Sequence, residues 1–274
     1  MADPRLELDP DAGGARLVAE LLAGRGTNGG VSLVVDGTTQ SHVNLDDPLD
    51  LQLEYTRLIA ALVDGCREPG HPLRVLHLGA GALTVARYLA ATRPGSAQHV
   101  VELHRELLEF VLAALPLRDD VELTAEFGDA RAAVERAAKV GAGYDLVLVD
   151  VFSGSRAPRH LSTAEFFAAL ERLTAADGLV VVNTLAAPGL RTAREVAATL
   201  GSVFDDVFAV TAAEVVDGAS LGNVVLVASA APLPGEQVLR LADAGPRPVV
   251  MLRDSSLAEF IDAAPVRRDA DPLD

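Results

Sequence analysis

Residues 74–90, RVLHLGAGALTVARYLA, decide the fold of this chain. The stretch opens with a largely apolar run that ends at Leu78, breaks at Gly79 and Gly81, and continues with apolar residues at helical spacing. A buried strand, a glycine turn and the start of a helix form the first half of a nucleotide-binding βαβ unit. The glycines allow a tight turn and let a ligand approach backbone N–H groups without a Cβ in the way. Because such turns also occur in ordinary strand–helix connections, the rest of the chain must decide whether this one binds a ligand.

Composition limits the possible classes of function. The chain has 274 residues, half of them hydrophobic, which fits one sizeable α/β domain with a small appendage, or two modest domains. Its 39 acidic and 23 basic residues give a formal charge of −16. Such a surface repels phosphate backbones, so we predict no nucleic-acid partner. It attracts cationic substrates, although an acidic surface can also serve solubility alone.

The sequence lacks the usual signals of disulfide-bonded, metal-binding and membrane proteins. The single cysteine, Cys66, excludes internal disulfides and cysteine-based zinc sites, and the six histidines lack metal-ligand spacing. We therefore predict no metal. The first ten residues are acidic without an apolar core, and no apolar run reaches membrane-spanning length. The sequence thus predicts no signal peptide, no membrane association and a cytoplasmic location.

Strands and helices alternate after residue 70, which predicts a parallel sheet with right-handed crossovers. The last two strands have no helical pattern between them and predict an antiparallel hairpin at the sheet edge. A mostly parallel seven-stranded sheet with such a terminal hairpin is typical of the Rossmann-like class I S-adenosylmethionine-dependent methyltransferase fold. The predicted strands are 73–78, 98–102, 121–125, 144–150, 179–183, 205–211 and 223–229, and the predicted helices are 83–92, 107–115, 130–140, 162–175 (opened by a capping box from Ser162 to Glu165) and 191–200.

Shorter elements flank this alternation. Residues 1–14 predict a loose terminus, and 16–22 a strand or a short helix. A small β unit follows, with strands at 31–36 and 39–45, and then an amphipathic helix at 51–66. Beyond the hairpin, the sequence predicts a helix at 236–244, a short amphipathic tail near 255–263 and a disordered end.

Candidate ligand-binding residues lie at the carboxyl ends of the predicted strands, where open parallel sheets bind their ligands. Gly79 and Gly81 follow the first strand. Glu102 ends the second, at about the spacing from the glycines at which a carboxylate accepts two hydrogen bonds from a ribose diol. Asp129 follows the third strand and Asp150 ends the fourth, where a partly dry carboxylate can hold a substrate ammonium and take its proton. Each acid also has a structural reading, as a helix cap or a solvated strand end, but their common edge favours a site.

Eight segments carry a family resemblance in their set and order. They are VVDGTTQSHV (34–43), LEYTRLIAAL (53–62), LHLGAGALT (76–84), VVE (100–102), GDA (128–130), YDLVLVDVFSG (144–154), APRHLSTAEFF (157–167) and GNVVLVAS (222–229). In these segments the chain resembles the spermidine synthase, or polyamine aminopropyltransferase, family, and in particular its divergent spermidine-synthase-like branch.

The resemblance implies a co-substrate, S-adenosylmethionine or its decarboxylated form, and no metal. It implies that Gly79 and Gly81 pack against this ligand and that Glu102 holds the ribose hydroxyls. Asp129 and Ala130 would meet the adenine.

Three further residues match positions of the family's motifs. Gln40 would reach the co-substrate from the leading β unit, and Tyr55 matches the tyrosine of a Tyr-His-Glu segment. Asp150 matches the aspartate that acts on the attacking amine. The resemblance implies aminopropyl transfer to a small amine acceptor, a place in polyamine biosynthesis and a homodimer. It divides the chain into a tail and β unit (1–47), an S-adenosyl-binding transferase domain (48–264) and a disordered tail (265–274).

The chain departs from the family pattern where carboxylates usually anchor the amine. Ala82 replaces an aspartate of the glycine turn, Thr56 and Arg57 replace the histidine and glutamate after the tyrosine, and Ser153 replaces a second aspartate after strand four. Two other functions therefore stay open. One is methyl transfer to a small molecule, since loss of the turn aspartate lifts a repulsion of the methionine carboxylate. The other is a non-catalytic nucleoside-binding or assembly module.

Overall fold

The structure is a computed structural model that describes residues 4–8, 17–24, 29–141, 143–152, 158–186, 189–231 and 248–271. Two β-sheets organise these residues, a small antiparallel sheet at the N-terminus and a large mixed sheet. Apolar cores that include helix residues lie on both faces of the large sheet. The predicted α/β class is confirmed.

The N-terminal sheet contains four antiparallel strands that pair in chain order. They are β1 (Arg5–Leu8), β2 (Leu17–Ala23), β3 (Val31–Val35) and β4 (Thr38–Val43). The two strands of the predicted β unit are confirmed, and the segment left open between strand and helix is β2. The predicted loose terminus is wrong for β1, which pairs with β2 and buries Leu8 beside Leu21 and Leu33. Apolar burial against this sheet offsets the entropy lost on ordering the terminus.

The large sheet contains five adjacent parallel strands followed by antiparallel ones. Its strands are β5 (Arg74–Leu78), β6 (Ala97–Glu102), β7 (Leu123–Phe127), β8 (Tyr144–Val149), β9 (Thr174–Ala186), β10 (Asp206–Ala212), β11 (Gly222–Ser229) and β12 (Val249–Leu252). Their order is β12-β10-β11-β9-β8-β5-β6-β7. The predicted hairpin is confirmed as β10 and β11. The predicted count of seven strands is corrected to eight, because the short β12 adds antiparallel to β10 at the edge.

The strand order reverses between β5 and β8. From β5 the chain moves outward through β6 to β7, and then returns to place β8 on the other side of β5. The two strands pair in parallel, with Leu78 opposite Val149. Their carboxyl ends therefore form a topological switch point, the position where open α/β sheets bind ligands.

Helices occupy both faces of the large sheet. They are α1 (Glu54–Gly65), α2 (Thr84–Thr92), α3 (Arg105–Ala114), α4 (Ala130–Ala137), α5 (Ala164–Leu173), α6 (Arg191–Gly201), α7 (Ala213–Val216) and α8 (Ser255–Ile261). The short α7 lies between the hairpin strands. The predicted helix at 236–244 lies outside the described residues.

The start of α5 differs from the predicted capping box. Thr163, not Ser162, is the N-cap, and its hydroxyl accepts the Phe166 N–H. Ser162 instead donates to the carbonyl oxygen of Arg159 at 2.9 Å. The helix ends at Leu173 because the following residue already begins β9.

Side chains of the central strands alternate between two apolar cores, as strand geometry requires. Leu76 and Leu78 of β5 pack in the core that contains α4, α5 and α6 residues. Val75 of β5 and Leu148 of β8 pack in the opposite core with α1 and α2. The near-continuous apolar strands follow from burial on both faces.

A buried arginine fixes the end of α1. Arg93 follows α2 directly and is 1% exposed. Its guanidinium donates to five backbone carbonyl oxygens at distances between 2.7 and 3.3 Å, those of Val63, Asp64, Arg67, Glu68 and His71. Two of these carbonyls belong to the last turn of α1 and three to the segment that follows it, so the guanidinium ties the helix end to the next turn. They also hold α1, whose first turn carries Tyr55.

The described part of the predicted disordered tail, residues 265–271, is docked on the domain. Arg267 is 9% exposed and donates from Nε and Nη2 to one oxygen of Glu195, at 2.9 and 2.8 Å. Its Nη1 donates to Ser162, and its backbone N–H donates to Thr199. The prediction of disorder is wrong for these residues because charge pairing, which an apolar pattern does not reveal, orders them.

Replacing Arg267 with alanine is expected to lower the free energy of unfolding by about 3 kcal/mol, because it leaves a buried carboxylate short of its partner. Glu195 is 5% exposed in its side chain and would keep only Arg191. Arg268→Ala is the matched control, since that side chain is 58% exposed and should matter by less than about 0.5 kcal/mol. Urea unfolding measures both variants, and equal effects would contradict the docked tail.

Candidate active site

The glycine turn is shaped by contacts within the protein. Gly79 has φ 91°, and a Cβ built there would lie 2.4 Å from the backbone oxygen of Asp150. Gly81 has φ 49°, and its Cβ would lie 2.4 Å from Oγ of Ser41 on β4. From the sequence, the role predicted for these glycines was to let a ligand approach the backbone. The structure adds that the backbone at the end of β8 approaches Gly79 too closely for any side chain, and that a side chain at Gly81 would displace the Ser41 hydroxyl of β4.

Glu102 lies beside this turn. It ends β6, is 7% exposed, and accepts the N–H of Ala80 on Oε2 at 3.0 Å and the N–H of His104 on Oε1 at 2.9 Å. Each carboxylate oxygen keeps a further lone pair. The structure therefore places Glu102 against the glycine turn, and the two hydrogen bonds fix the orientation of its carboxylate.

Asp129 is placed as a helix cap. It caps α4 by accepting the Ala132 N–H at 2.9 Å, and its other oxygen lies 2.8 Å from Nε2 of His160. Burial raises the pKa of Asp129, but these two hydrogen bonds outweigh it and hold the pKa below its ordinary value. The N–H of Gly128 donates to the backbone oxygen of Glu102 at 2.9 Å, which joins this corner to the end of β6. Sequence reasoning did not single out His160.

Asp150 stands at the end of β8 and is partly buried. Asn183 of β9 donates from Nδ2 to its Oδ1 at 2.8 Å, and Asn223 of β11 donates to the amide oxygen of Asn183 at 3.0 Å. Burial raises the pKa of Asp150, and hydrogen bonds with Asn183 and Tyr55 offset part of that rise. Neither asparagine was predicted. The sequence signal that could have identified them is a single polar side chain within or beside each of two apolar strands.

Tyr55 connects the N-terminal sheet to Asp150. It lies in the first turn of α1, and its hydroxyl donates to the backbone oxygen of Gln40 on β4 at 3.0 Å. Burial, followed by the charge and hydrogen bond of Asp150, raises the pKa of Tyr55 well above its ordinary value. The phenol therefore keeps its proton beside the carboxylate.

A pocket opens at the switch point. Its volume is about 430 Å³, including the solvent at its mouth. Of the predicted site residues, Gly79, Tyr55 and Asp150 line it. The full lining is Tyr55, Thr56, Ile59, His77, Gly79, Ala80, Leu83, Thr84, Val85, Ala86, Leu148 and Asp150.

The positions that depart from the family pattern have different surroundings. Thr56 lines the pocket and donates its hydroxyl to Leu53 within α1. Ala82 is fully buried in an apolar cluster that includes Leu33 and Val111, and its N–H donates to Ser41. Its side chain therefore packs into the junction with the N-terminal sheet. Ser153 lies outside the described residues.

No group of three or more metal-ligating side chains is found within the described residues. No helix in the described part of the chain is long and apolar enough to cross a bilayer.

Comparison with curated sequences finds two polyamine aminopropyltransferases. The chain is 28% identical over 194 residues to a polyamine aminopropyltransferase of Vibrio vulnificus, covering 71% of this chain and 62% of that protein. It is 29% identical over 154 residues to a polyamine aminopropyltransferase of Chromobacterium violaceum, covering 53% and 54%. The chain thus spans less than two thirds of the length of either relative. No protein-family model matches it.

Solved structures extend the likeness over nearly the whole chain. A probable spermidine synthase from Corynebacterium glutamicum matches with a TM-score of 0.85 and 29% identity, covering 94% of this chain and 95% of that one. Human methyltransferase-like protein 13, solved in complex with SAH, matches at 0.58 with 19% identity, covering 80% and 97%, and so shares the fold. Together with the sheet order, these relatives support the spermidine synthase family and show a methyltransferase-like fold.

Proposed function

We propose that the chain is an aminopropyltransferase that uses decarboxylated S-adenosylmethionine. The observation that carries the proposal is the position of a partly buried carboxylate, Asp150, directly across the switch point from Gly79. The names of the sequence relatives and of the Corynebacterium structure support the same reaction class.

In the proposed reaction, the lone pair of an amine nitrogen attacks the carbon next to the sulfonium. The N–C bond forms, the C–S bond breaks with its electron pair going to sulfur, and methylthioadenosine leaves as a neutral thioether. The proton of the amine passes to Asp150 and then to solvent. Because the sulfonium is already a good leaving group, catalysis consists mainly of positioning and base assistance.

The co-substrate would lie along the glycine turn and the ends of β6 and β7. Gly79 and Gly81 allow its close approach, and Glu102, already oriented by two backbone N–H groups, would accept hydrogen bonds from both ribose hydroxyls. Asp129 and Ala130 would meet the adenine at the start of α4.

Gln40, on β4, would reach the co-substrate from the N-terminal sheet. Its backbone oxygen already binds Tyr55, so this strand is held against the site. The family resemblance also implies a homodimer, and the sequence patterns predict a cytoplasmic location. Both remain predictions, and light scattering tests the first.

The two asparagines orient the base. Because Asn223 donates to the amide oxygen of Asn183, the amide nitrogen of Asn183 must face Asp150. Asn183 thereby holds Oδ1 of Asp150, and the carboxylate keeps further lone pairs that can meet the amine. Burial makes the carboxylate a stronger base, and the hydrogen bonds keep it in one orientation.

Calorimetry with decarboxylated S-adenosylmethionine, S-adenosylmethionine and methylthioadenosine tests the proposal. We expect the decarboxylated form to bind more tightly than the carboxylated one. Asp150→Asn should retain this binding and lower kcat/KM by a factor of roughly 100 to 10,000, the usual effect of a general base. Asp120→Asn is the control, because this exposed acid precedes β7 at the opposite edge of the sheet.

Other outcomes identify the competing functions. Preference for the carboxylated form would indicate methyl transfer, and binding of none of the three would indicate a non-catalytic module. Full turnover by Asp150→Asn would show that Asp150 is not the base.

The same variant should be more stable than the wild type at neutral pH. A raised pKa means that the folded state holds the Asp150 proton more tightly than the unfolded state does. Ionisation therefore destabilises the fold as pH rises above the ordinary aspartate value of about 3.9. Asp150→Asn should gain on the order of 1 kcal/mol at pH 7 to 8 and nothing near pH 4, measured by thermal unfolding. A destabilised variant at neutral pH would contradict the burial of this charge.

Removing Asn183 should shift the pH profile. Without its hydrogen bond, the pKa of Asp150 rises further, so the acidic limb of kcat/KM for Asn183→Ala should move to higher pH. Thr184→Val is the control, because this neighbour on β9 bonds to Val224 and does not contact Asp150 through its hydroxyl. An unshifted limb in Asn183→Ala would show that the amide does not act on the base.

A further inference from the structure

We infer that the acceptor is an amine with one positive charge and an uncharged, mainly apolar remainder, and not a diamine. The inference rests on the proposed function and names the acceptor class of its site. The charges and hydrogen-bonding groups on the pocket wall beyond Asp150 carry it.

The pocket wall contains one carboxylate among the described residues, that of Asp150. Ile59 of α1, Leu148 of β8 and Val85 of α2 contribute apolar side chains to the wall. One carboxylate can serve the reacting amine, and the part of the wall that the structure describes offers no second one for a remote ammonium.

His77 is the third ionisable group on the described wall, beside Asp150 and Tyr55. Its Nε2 lies 2.9 Å from Oε1 of Gln98. Gln98 donates its amide nitrogen to the Ala86 carbonyl at 3.0 Å, so Oε1 must accept and His77 Nε2 must carry the proton. The other ring nitrogen, Nδ1, then holds a lone pair.

Burial lowers the pKa of His77 to about 4, so the ring is neutral at physiological pH. It can accept a hydrogen bond from a hydroxyl or amide group, but it provides no negative charge. Thr56, at the position of a family histidine, is also uncharged. A second ammonium would therefore lose its hydration without gaining a counter-charge, whereas an alkyl chain gains by contact with the apolar wall.

Pentan-1-amine and butane-1,4-diamine test the inference, because they have the same number of heavy atoms and differ by a terminal methyl or ammonium group. Calorimetry on the full chain saturated with methylthioadenosine should show at least about tenfold tighter binding of pentan-1-amine. Equal or tighter binding of the diamine, or no binding of pentan-1-amine, overturns the inference. Failure of the proposed function would appear separately, as no release of methylthioadenosine from decarboxylated S-adenosylmethionine with either amine.

A carboxylate placed on the wall should reverse the preference. Thr56 is the third residue of α1, where glutamate is favoured by the helix dipole and by capping. Thr56→Glu should shift the binding ratio toward the diamine by about tenfold relative to Thr56→Gln, which has nearly the same size and no charge. Thermal unfolding checks that both variants fold. An equal ratio in the two folded variants overturns the inference, and the wild-type comparison stands whether or not they fold.

Discussion

The position of the candidate site depends on the close contact between Gly79 and the backbone of Asp150. This contact joins the ends of β5 and β8, two strands that are neighbours in the sheet but are separated by two strand–helix units in the chain. The Asp150 N–H donates to the Leu78 carbonyl at 3.0 Å, so the two strand ends are bonded as well as close. Any side chain at residue 79 would separate them. The glycine therefore serves the sheet first, and a ligand site at the switch point follows from that geometry.

The N-terminal sheet completes the site from outside the large sheet. Strand β4 contacts the glycine turn through Ser41 and reaches α1 through the Gln40 carbonyl and Tyr55. The Ala82 side chain fills the apolar junction between this sheet and α3. A change in the turn would therefore affect the docking of the sheet together with the site. The leading β unit and the transferase domain share one packed boundary, although the sequence divides them at residue 47.

Local patterns made much of the architecture predictable. Strand and helix periodicity placed the parallel strands and the hairpin, and strand-end positions placed Glu102, Asp129 and Asp150 at one edge. The features that the sequence did not reveal depend on contacts between distant residues. Asn183 matters because a neighbouring strand brings Asp150 to it, and Arg267 is ordered by Glu195, 72 residues away. The edge strand β12 is short, and only its pairing with β10 defines it.

The surroundings of Ala82 bear on where acceptor specificity resides. From the sequence, the turn itself carries the main departure, because alanine stands where the family has an aspartate. In the fold this side chain is buried among apolar residues, so a carboxylate at that position would require the turn and the N-terminal sheet to rearrange. The first turn of α1 is different, since Tyr55 and Thr56 line the pocket directly. Under the proposed function, specificity for the acceptor is therefore expected to depend on the α1 wall, and the glycine turn would contact the nucleoside end.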